Sequence, residues 1–395
     1  MPLGLAIVAI WLYLLLGRGG FWRMRDRSPE EKLPSDRRSR PYAGPDGARA
    51  PHIVAVIPAR NEAAVVGRAI QSLAQQEYAG EFQIVLVDDD STDGTDAAAR
   101  LAAPAGLLTV IRAAALPRDW SGKLWAVSEG IRYAQSLDPD YFLLTDADIV
   151  HPRDNLATLV MHAESAGYDL VSYMATLECR TLAERALIPA FVFFFFMLYP
   201  PAWISSARHA TAGAAGGCML IRRAALESIG GIGAIAGELI DDCALARAVK
   251  QGGGKVWLGL SAGTLSIREY ATFGEIGGMI SRTAFTQLNH SIPQLIGTVL
   301  GLAITYLAAP LLAIAAPRSA GYARWLGTAA WLLMSIAYFP VLRYYRRSPL
   351  RAPLLPLVAT FYLGATIHSA VCYWRGRGGV WKGRVQNGTE NFGHE

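Results

Sequence analysis

The sequence predicts an α/β domain on a mostly parallel sheet, set between an N-terminal anchor and C-terminal transmembrane helices. Three observations carry that prediction. Between about residues 52 and 150, short apolar runs alternate with amphipathic stretches, and such alternation implies parallel strands covered by helices on both faces. Long stretches without charged side chains open the chain and recur beyond residue 290. Hydrophobic residues make up 52% of the 395 positions and charged residues only 17%, against roughly 25% charged in ordinary soluble domains. A membrane part is therefore expected, in a chain long enough for two or three domains.

Charge and cysteine usage exclude other classes. The 37 basic and 32 acidic residues leave a net charge of +5, too small and too scattered for a nucleic-acid footprint. Cys179, Cys218, Cys243 and Cys372 lie far apart without a C-x-x-C pair. Neither a disulfide framework nor a zinc site follows, and a reducing compartment fits.

Taken in order, residues 1–22 read as the anchor. Met1 to Gly17 is uncharged, and Gly19 to Trp22 extend it past Arg18, whose head group can snorkel to the interface. A cleaved signal peptide carries its basic residues first, whereas here Arg18, Arg23, Arg25 and Arg27 follow the apolar run. By the positive-inside rule this flank, and everything from about 23 to 290, faces the cytosol. Residues 23–51, rich in Pro, Arg, Asp and Glu, cannot form a core and read as a linker.

The domain proper spans 52–290. His52 to Ile57 reads as a buried strand, Ala63 to Gln76 as a helix, Gln83 to Val87 as a strand and Thr92 to Leu101 as a helix. Leu107 to Ile111 is a third strand, Lys123 to Ser136 a third helix and Tyr141 to Leu144 a fourth strand. Ligands of such sheets bind beyond the carboxyl ends of the strands. There stand Pro58, Ala59, Arg60, Asn61 and Glu62 after the first strand, Asp88, Asp89 and Asp90 after the second, and Asp146 and Asp148 after the fourth. A lone aspartate after a strand is usually a cap or turn former. Several on one edge need a cation or donor groups to offset their charge, and an Asp-x-Asp turn suits Mg2+ or Mn2+ bridging a diphosphate. Lys123 opens a helix after a glycine turn, a place for a phosphate contact, although the P-loop pattern is absent.

Further on, the uncharged run Ala186 to Ala207 contains Phe193 to Phe196 and is interrupted by Pro189, Pro200 and Pro201. It reads as an interfacial segment, a surface by which a lipid enters, with a true span or a core helix as alternatives. The small residues Gly213 to Gly217, followed by Cys218, allow close backbone approach to a ligand. Asp241 and Asp242 open a helical pattern, where plain N-capping is the alternative to chemistry. Within 291–374, the runs Ile292 to Pro317, Trp325 to Leu342 and Ala352 to Trp374 reach or approach the about 20 residues a span requires. The tail, 375–395, carries Arg375, Arg377, Lys382 and Arg384, which favour an inside end, whereas three spans place it outside. Either one span is re-entrant or the Ala186 run counts.

These motifs in this order, from Pro58 to Glu62, Val87 to Thr95, Gly122-Lys123, Asp146-Ala147-Asp148, the Cys218 segment and Asp241-Asp242-x-x-Leu245, resemble membrane-bound family 2 glycosyltransferases of the GT-A fold. The stretches Trp120 to Trp125 and Arg282 to Leu288 are similar to the hopene-associated members. The resemblance implies a nucleotide-sugar donor, typically UDP-linked, bound by Pro58, Arg60, Asn61, Glu62, Asp88, Asp89, Asp90, Lys123 and Asp146. It implies a metal at Asp148, and Asp242 as general base beside Asp241 in an inverting hexosyl transfer to a membrane lipid, with hopanoid preferred. Phe194, Phe195, Gly217, Cys218 and Arg282 fall on the acceptor side. The Gln-x-x-Arg-Trp motif of polymerising relatives reads Met279-Ile280-Ser281-Arg282-Thr283 here, which argues for a single, non-processive transfer. Ceramide, carotenoid, diacylglycerol or polyprenyl phosphate are alternative acceptors. A transporter would show more intramembrane ionisable groups than His368, and a non-catalytic scaffold would have lost carboxylates that are all present.

Overall fold

The computed structural model describes residues 2–24, 49–315, 317, 321–381 and 384–385. Most of the linker and, in the tail, Lys382 lie outside the described residues. The chain divides into two compact units. One gathers the described residues of Met1–Arg25, Cys179–Trp203 and Glu269–Val380; the other gathers those of Asp26–Glu178, Ile204–Arg268 and Trp381–Glu395. The domain expected over 52–290 thus gives up two stretches to the helical unit.

The α/β unit carries an eight-stranded sheet of β1 (Ile53–Ala59), β2 (Phe82–Asp88), β3 (Leu108–Arg112), β4 (Tyr141–Leu144), β5 (Ile149–Val150), β6 (Leu170–Leu177), β7 (Met219–Arg222) and β8 (Val256–Ser266), in the order β3-β2-β1-β4-β7-β6-β8-β5. β1 is buried along its whole length, as a strand covered on both faces must be. The first half is parallel as expected, with β1 paired to β2 and β4, and β2 to β3. The second half is mixed: β7 runs antiparallel to β4 and β6, and β5 to β8, while β8 is parallel to β6.

This register builds the site. Ala59 pairs with Asp88, so the turns after β1 and β2 leave the sheet at one level. Leu144, the last residue of β4, pairs with Met219, the first of β7. An antiparallel neighbour starts where its partner ends, so the chain enters β7 through Gly216, Gly217 and Cys218 beside the Asp146–Asp148 turn. β5 then pairs Ile149 with Ser266, and the Ile267 N–H donates to the Asp148 carbonyl at 2.9 Å.

Among the described residues, four helices are long and apolar enough to cross a membrane: Leu182–Ile204, Ile292–Ala315, Gly321–Tyr344 and Pro349–Trp374. The N-terminal helix, Pro2–Leu16, has 15 residues and reaches about 22 Å at 1.5 Å per residue, short of the roughly 30 Å of hydrocarbon. The proline-broken run is a helix through Pro189, Leu182–Leu198, started by a capping box between Thr181 and Glu184. Proline at 189 frees the Arg185 carbonyl of its helical partner, and Arg351 Nη1 donates to that carbonyl at 3.2 Å. Its aromatic surface is in large part packed: Phe193 lies against Phe21 and Tyr338, and Phe194 against Tyr306 and Tyr362.

Candidate active site

The turns after β1 and β2 are stitched to one another. Asn61, in a left-handed conformation at φ 51°, donates its N–H to Ser91 Oγ at 3.0 Å and accepts from the Thr92 N–H at 2.9 Å. Arg60 donates to the Asp89 carbonyl and lies 3.6 Å from its carboxylate. Asp88 accepts from the Ser91 N–H at 2.9 Å, the capping use foreseen for a lone aspartate. Asp90, at φ 59°, is exposed at the rim.

The helix Gly122–Gln135 starts at Ser121, whose hydroxyl accepts from the Leu124 N–H. This start aims Lys123 across the strand ends, with its Nζ 2.9 Å from Asp146 and 3.0 Å from Asp241. Burial by itself favours the neutral amine, but Asp146 and Asp241 hold Lys123 protonated, above its ordinary value. Pro58, Lys123, Thr145, Asp146, Gly216 and Asp241 contribute to the lining of a cleft with about 320 Å³ of open space.

Asp242 stands in the first turn of the helix Asp241–Gln251. It accepts from the Gly216 N–H at 2.9 Å and the Cys243 N–H at 2.7 Å. Burial and the neighbouring Asp241 push its carboxyl up to about 6, against the pull of Lys123 and the two N–H groups. A carboxylate so placed titrates near the working range of a general base.

Asp148 accepts from Ser266 Oγ at 3.1 Å and Arg268 Nε at 3.0 Å, and the same guanidinium reaches Glu62 at 2.6 Å. Burial pushes the Asp148 carboxyl above its ordinary range; Arg268 pulls it down, and Asp146 and Glu62 push it up. No group of three or more His, Cys, Asp or Glu side chains converges on a metal position among the described residues. A hard divalent cation needs only one or two protein carboxylates when diphosphate and water complete its shell. Asp146 and Asp148 are already paired with Lys123 and Arg268, but Glu62 and Asp241 share those same two cations, so four carboxylates face two positive side chains, a set that fits that requirement.

One of the expected acceptor-side positions, Cys218, is packed in the core. It is fully buried in the cluster with Leu220 and Tyr173, because the start of β7 turns its side chain inward; burial pushes its thiol up to about 12. Arg282 is exposed on the helix Phe273–Thr283 of the helical unit, the unit that also holds Phe194 and Phe195. Gly217 does sit in the site loop, where an added Cβ would come 3.0 Å from Ile149. Sequence reasoning missed Arg268, Thr145 and His151. Thr145, directly before the Asp-x-Asp turn, and His151, three residues past it, had positions that pointed to them; Arg268 had none.

A sheet of this order with carboxylates gathered around a cleft at its strand ends defines an α/β protein of the GT-A fold. Residues 54–230 match the family model described as glycosyl transferase family 2, and this stretch is a domain of that family. The mannosyltransferase PcManGT of Pyrobaculum calidifontis, solved with GDP-Man and Mn2+, shares the fold with a TM-score of 0.51 and 19% identity, over 93% of this chain and 98% of that one. A β-monoglucosyldiacylglycerol synthase of Synechocystis sp. is 31% identical over 148 residues, 36% of this chain. The chain spans 28% of that relative's length.

Proposed function

We propose that the chain is an inverting, non-processive hexosyltransferase that moves a sugar from a nucleoside diphosphate sugar, UDP being the favoured carrier, to the hydroxyl of a membrane lipid. The observation that carries this is the Lys123 bridge, which brings Asp146 of the donor turn and Asp241 of the base pair within 3.0 Å of one ammonium. A donor diphosphate at Asp146 and Lys123 then lies beside Asp242, the one carboxylate of the pair held by two backbone N–H groups. Asp242 takes the proton of the acceptor hydroxyl as its oxygen attacks the anomeric carbon from the face opposite the leaving diphosphate. Single displacement inverts that centre.

The turn Pro58–Glu62 with Asp88, Asp89 and Asp90 receives the nucleoside, and Lys123 meets developing charge on the diphosphate. Asp146 and Asp148 would hold Mg2+ or Mn2+, which when bound supplies charge stabilisation for the departing diphosphate. The Mn2+ in the PcManGT structure supports a divalent cation as the partner of the donor. On the acceptor side, Gly217 lines the base loop, and the apolar helix with half-buried Phe194 and Phe195 favours a lipid over a soluble acceptor.

A hopanoid or other isoprenoid is the preferred acceptor, on the resemblance of the Trp120 to Trp125 and Arg282 to Leu288 stretches to the hopene-associated members. Diacylglycerol is the second reading, favoured by the relative that bears that name. The four apolar helices support a multi-pass protein of the inner membrane, and the basic flank of the N-terminal helix supports a cytoplasmic site. Purified protein incubated with a panel of nucleotide sugars and extracted lipids, with products read by mass spectrometry, tests the reading. A hexosylated lipid is expected; a sugar found only on soluble acceptors would contradict it.

A further inference from the structure

Beneath the loop that steadies Asp242 lies a buried histidine. His151 follows β5 and is 4% exposed. Its Nε2 is 3.0 Å from Thr145 Oγ1, and the Thr145 hydroxyl donates to the Gly217 carbonyl at 2.7 Å. A hydroxyl has one proton to give. With that proton on Gly217, Thr145 accepts from His151, which fixes the Nε2–H tautomer. Nδ1 is then an acceptor, and it faces Asn155 Nδ2 at 3.1 Å. Asn155 Oδ1 in turn accepts from Thr264 Oγ1 at 3.3 Å, and Thr264 from Ser261 Oγ at 3.0 Å. Each proton of the series has one place, running from Ser261 through Thr264, Asn155, His151 and Thr145 to Gly217. Burial keeps the imidazole neutral, its pKa lowered to about 3.

Both ends of this series belong to the site. Thr145 is joined directly to Asp146 of the donor turn. Gly217 is joined to Gly216, whose N–H holds Asp242 at 2.9 Å. Breaking the Thr145–Gly217 bond frees the loop backbone on the side facing the donor turn, although Ala215 remains tied to Ser172 at 2.9 Å.

We propose that His151 is a positioning residue for the transfer reaction: acting through Thr145, it fixes the Gly216–Gly217 backbone against the Asp146–Asp148 turn and so sets Asp242 against the bound donor. The inference rests on Asp242 being the base. An ordinary satisfied core histidine would make the same hydrogen bonds without affecting the chemistry, and the kinetics separate the two.

The test uses the full chain in detergent. Nitrogen-15 spectra of the imidazoles without substrate, with His151 identified by loss of its signals in His151→Gln, should show a neutral Nε2–H tautomer; an Nδ1–H tautomer would overturn the proposed series whatever the activity. Thr145→Val, which keeps shape and removes the hydroxyl, should lower kcat on the order of 10- to 100-fold while nucleotide-sugar affinity holds. The acid limb of its rate profile should move to higher pH, because the Asp242 carboxylate loses part of its N–H support; Asp241 and Lys123, the charges that face it, are unchanged. Thr145→Ser should restore both. A Thr145→Val protein with a lower melting temperature but unchanged kcat and limb would reduce His151 to a core residue. Failure of wild-type protein to transfer sugar at all, with the tautomer as expected, would instead remove the functional reading beneath the proposal and the proposal with it.

Discussion

Gly216 donates its backbone N–H to Asp242 Oδ2 across 2.9 Å, from 26 positions earlier in the chain. A Cβ at 216 would sit 3.3 Å from Lys123 Nζ and 3.5 Å from that carboxylate oxygen, so a glycine lets backbone, cation and base meet. The antiparallel pairing of β4 with β7 makes the meeting possible, by starting one strand where the donor-side strand stops.

Asp242→Asn should lower kcat by roughly 10² or more, as expected for loss of a general base, with little change in donor affinity. Asp241→Asn should be milder, since it removes one side of the Lys123 bridge and leaves the base. Rates measured with saturating donor separate them. Small and equal losses would leave both aspartates as helix-capping residues.

The raised carboxyl of Asp242 sets a pH dependence. Its active form is deprotonated, so kcat/KM should fall as pH drops through about 6, about tenfold per unit below the limb. In the Asp242→Asn protein the residual rate should lose that limb. A wild-type limb near 4, the ordinary carboxylate range, would mean that Asp242 does not act as the base.

How much of this was legible in the sequence depended on how local the signal was. β1, β2 and β4 could be read because largely buried parallel strands appear as apolar runs, each followed by a turn, and β3, half-buried at the sheet edge, followed from the same alternation. The second half of the sheet could not: β5 has two residues and β7 four, and a 17-residue apolar helix separates β6 from β7. The acidic turns announced themselves as clusters at strand ends. Arg268 gave no sign, because its partners Glu62 and Asp148 lie 206 and 120 positions away, and only the β5–β8 pairing joins them. The inward turn of Cys218 likewise depends on strand phase, which small residues on either side do not reveal.

Asp148→Asn should abolish the stimulation of turnover by Mg2+ or Mn2+ while leaving the melting temperature close to that of wild type. The side chain sits on a strand-end turn, and the amide oxygen can still accept from Ser266. Loss of a metal contact to the diphosphate corresponds to several kcal/mol of transition-state stabilisation. Titration of activity against added metal checks this; a normal response would remove Asp148 from the cation site.

In the apolar helix, the packed and half-buried phenylalanines should behave differently. Phe193, fully buried against Phe21 and Tyr338, should destabilise the helical unit by about 3–5 kcal/mol on replacement by alanine. Phe195→Ser should cost less in thermal unfolding and lower lipid-acceptor use more than acceptor-independent hydrolysis of the nucleotide sugar. Equal loss of both activities would end the acceptor role for Phe195.

The most direct test of a lipid glycosyltransferase with Asp242 as its base is the fate of labelled sugar after one incubation with nucleotide sugar, divalent metal and membrane lipid. Wild-type protein should carry the label into the organic phase, and Asp242→Asn, binding the donor as well as wild type does, should leave it in the aqueous phase. Equal transfer to lipid by both proteins would contradict the account at its centre.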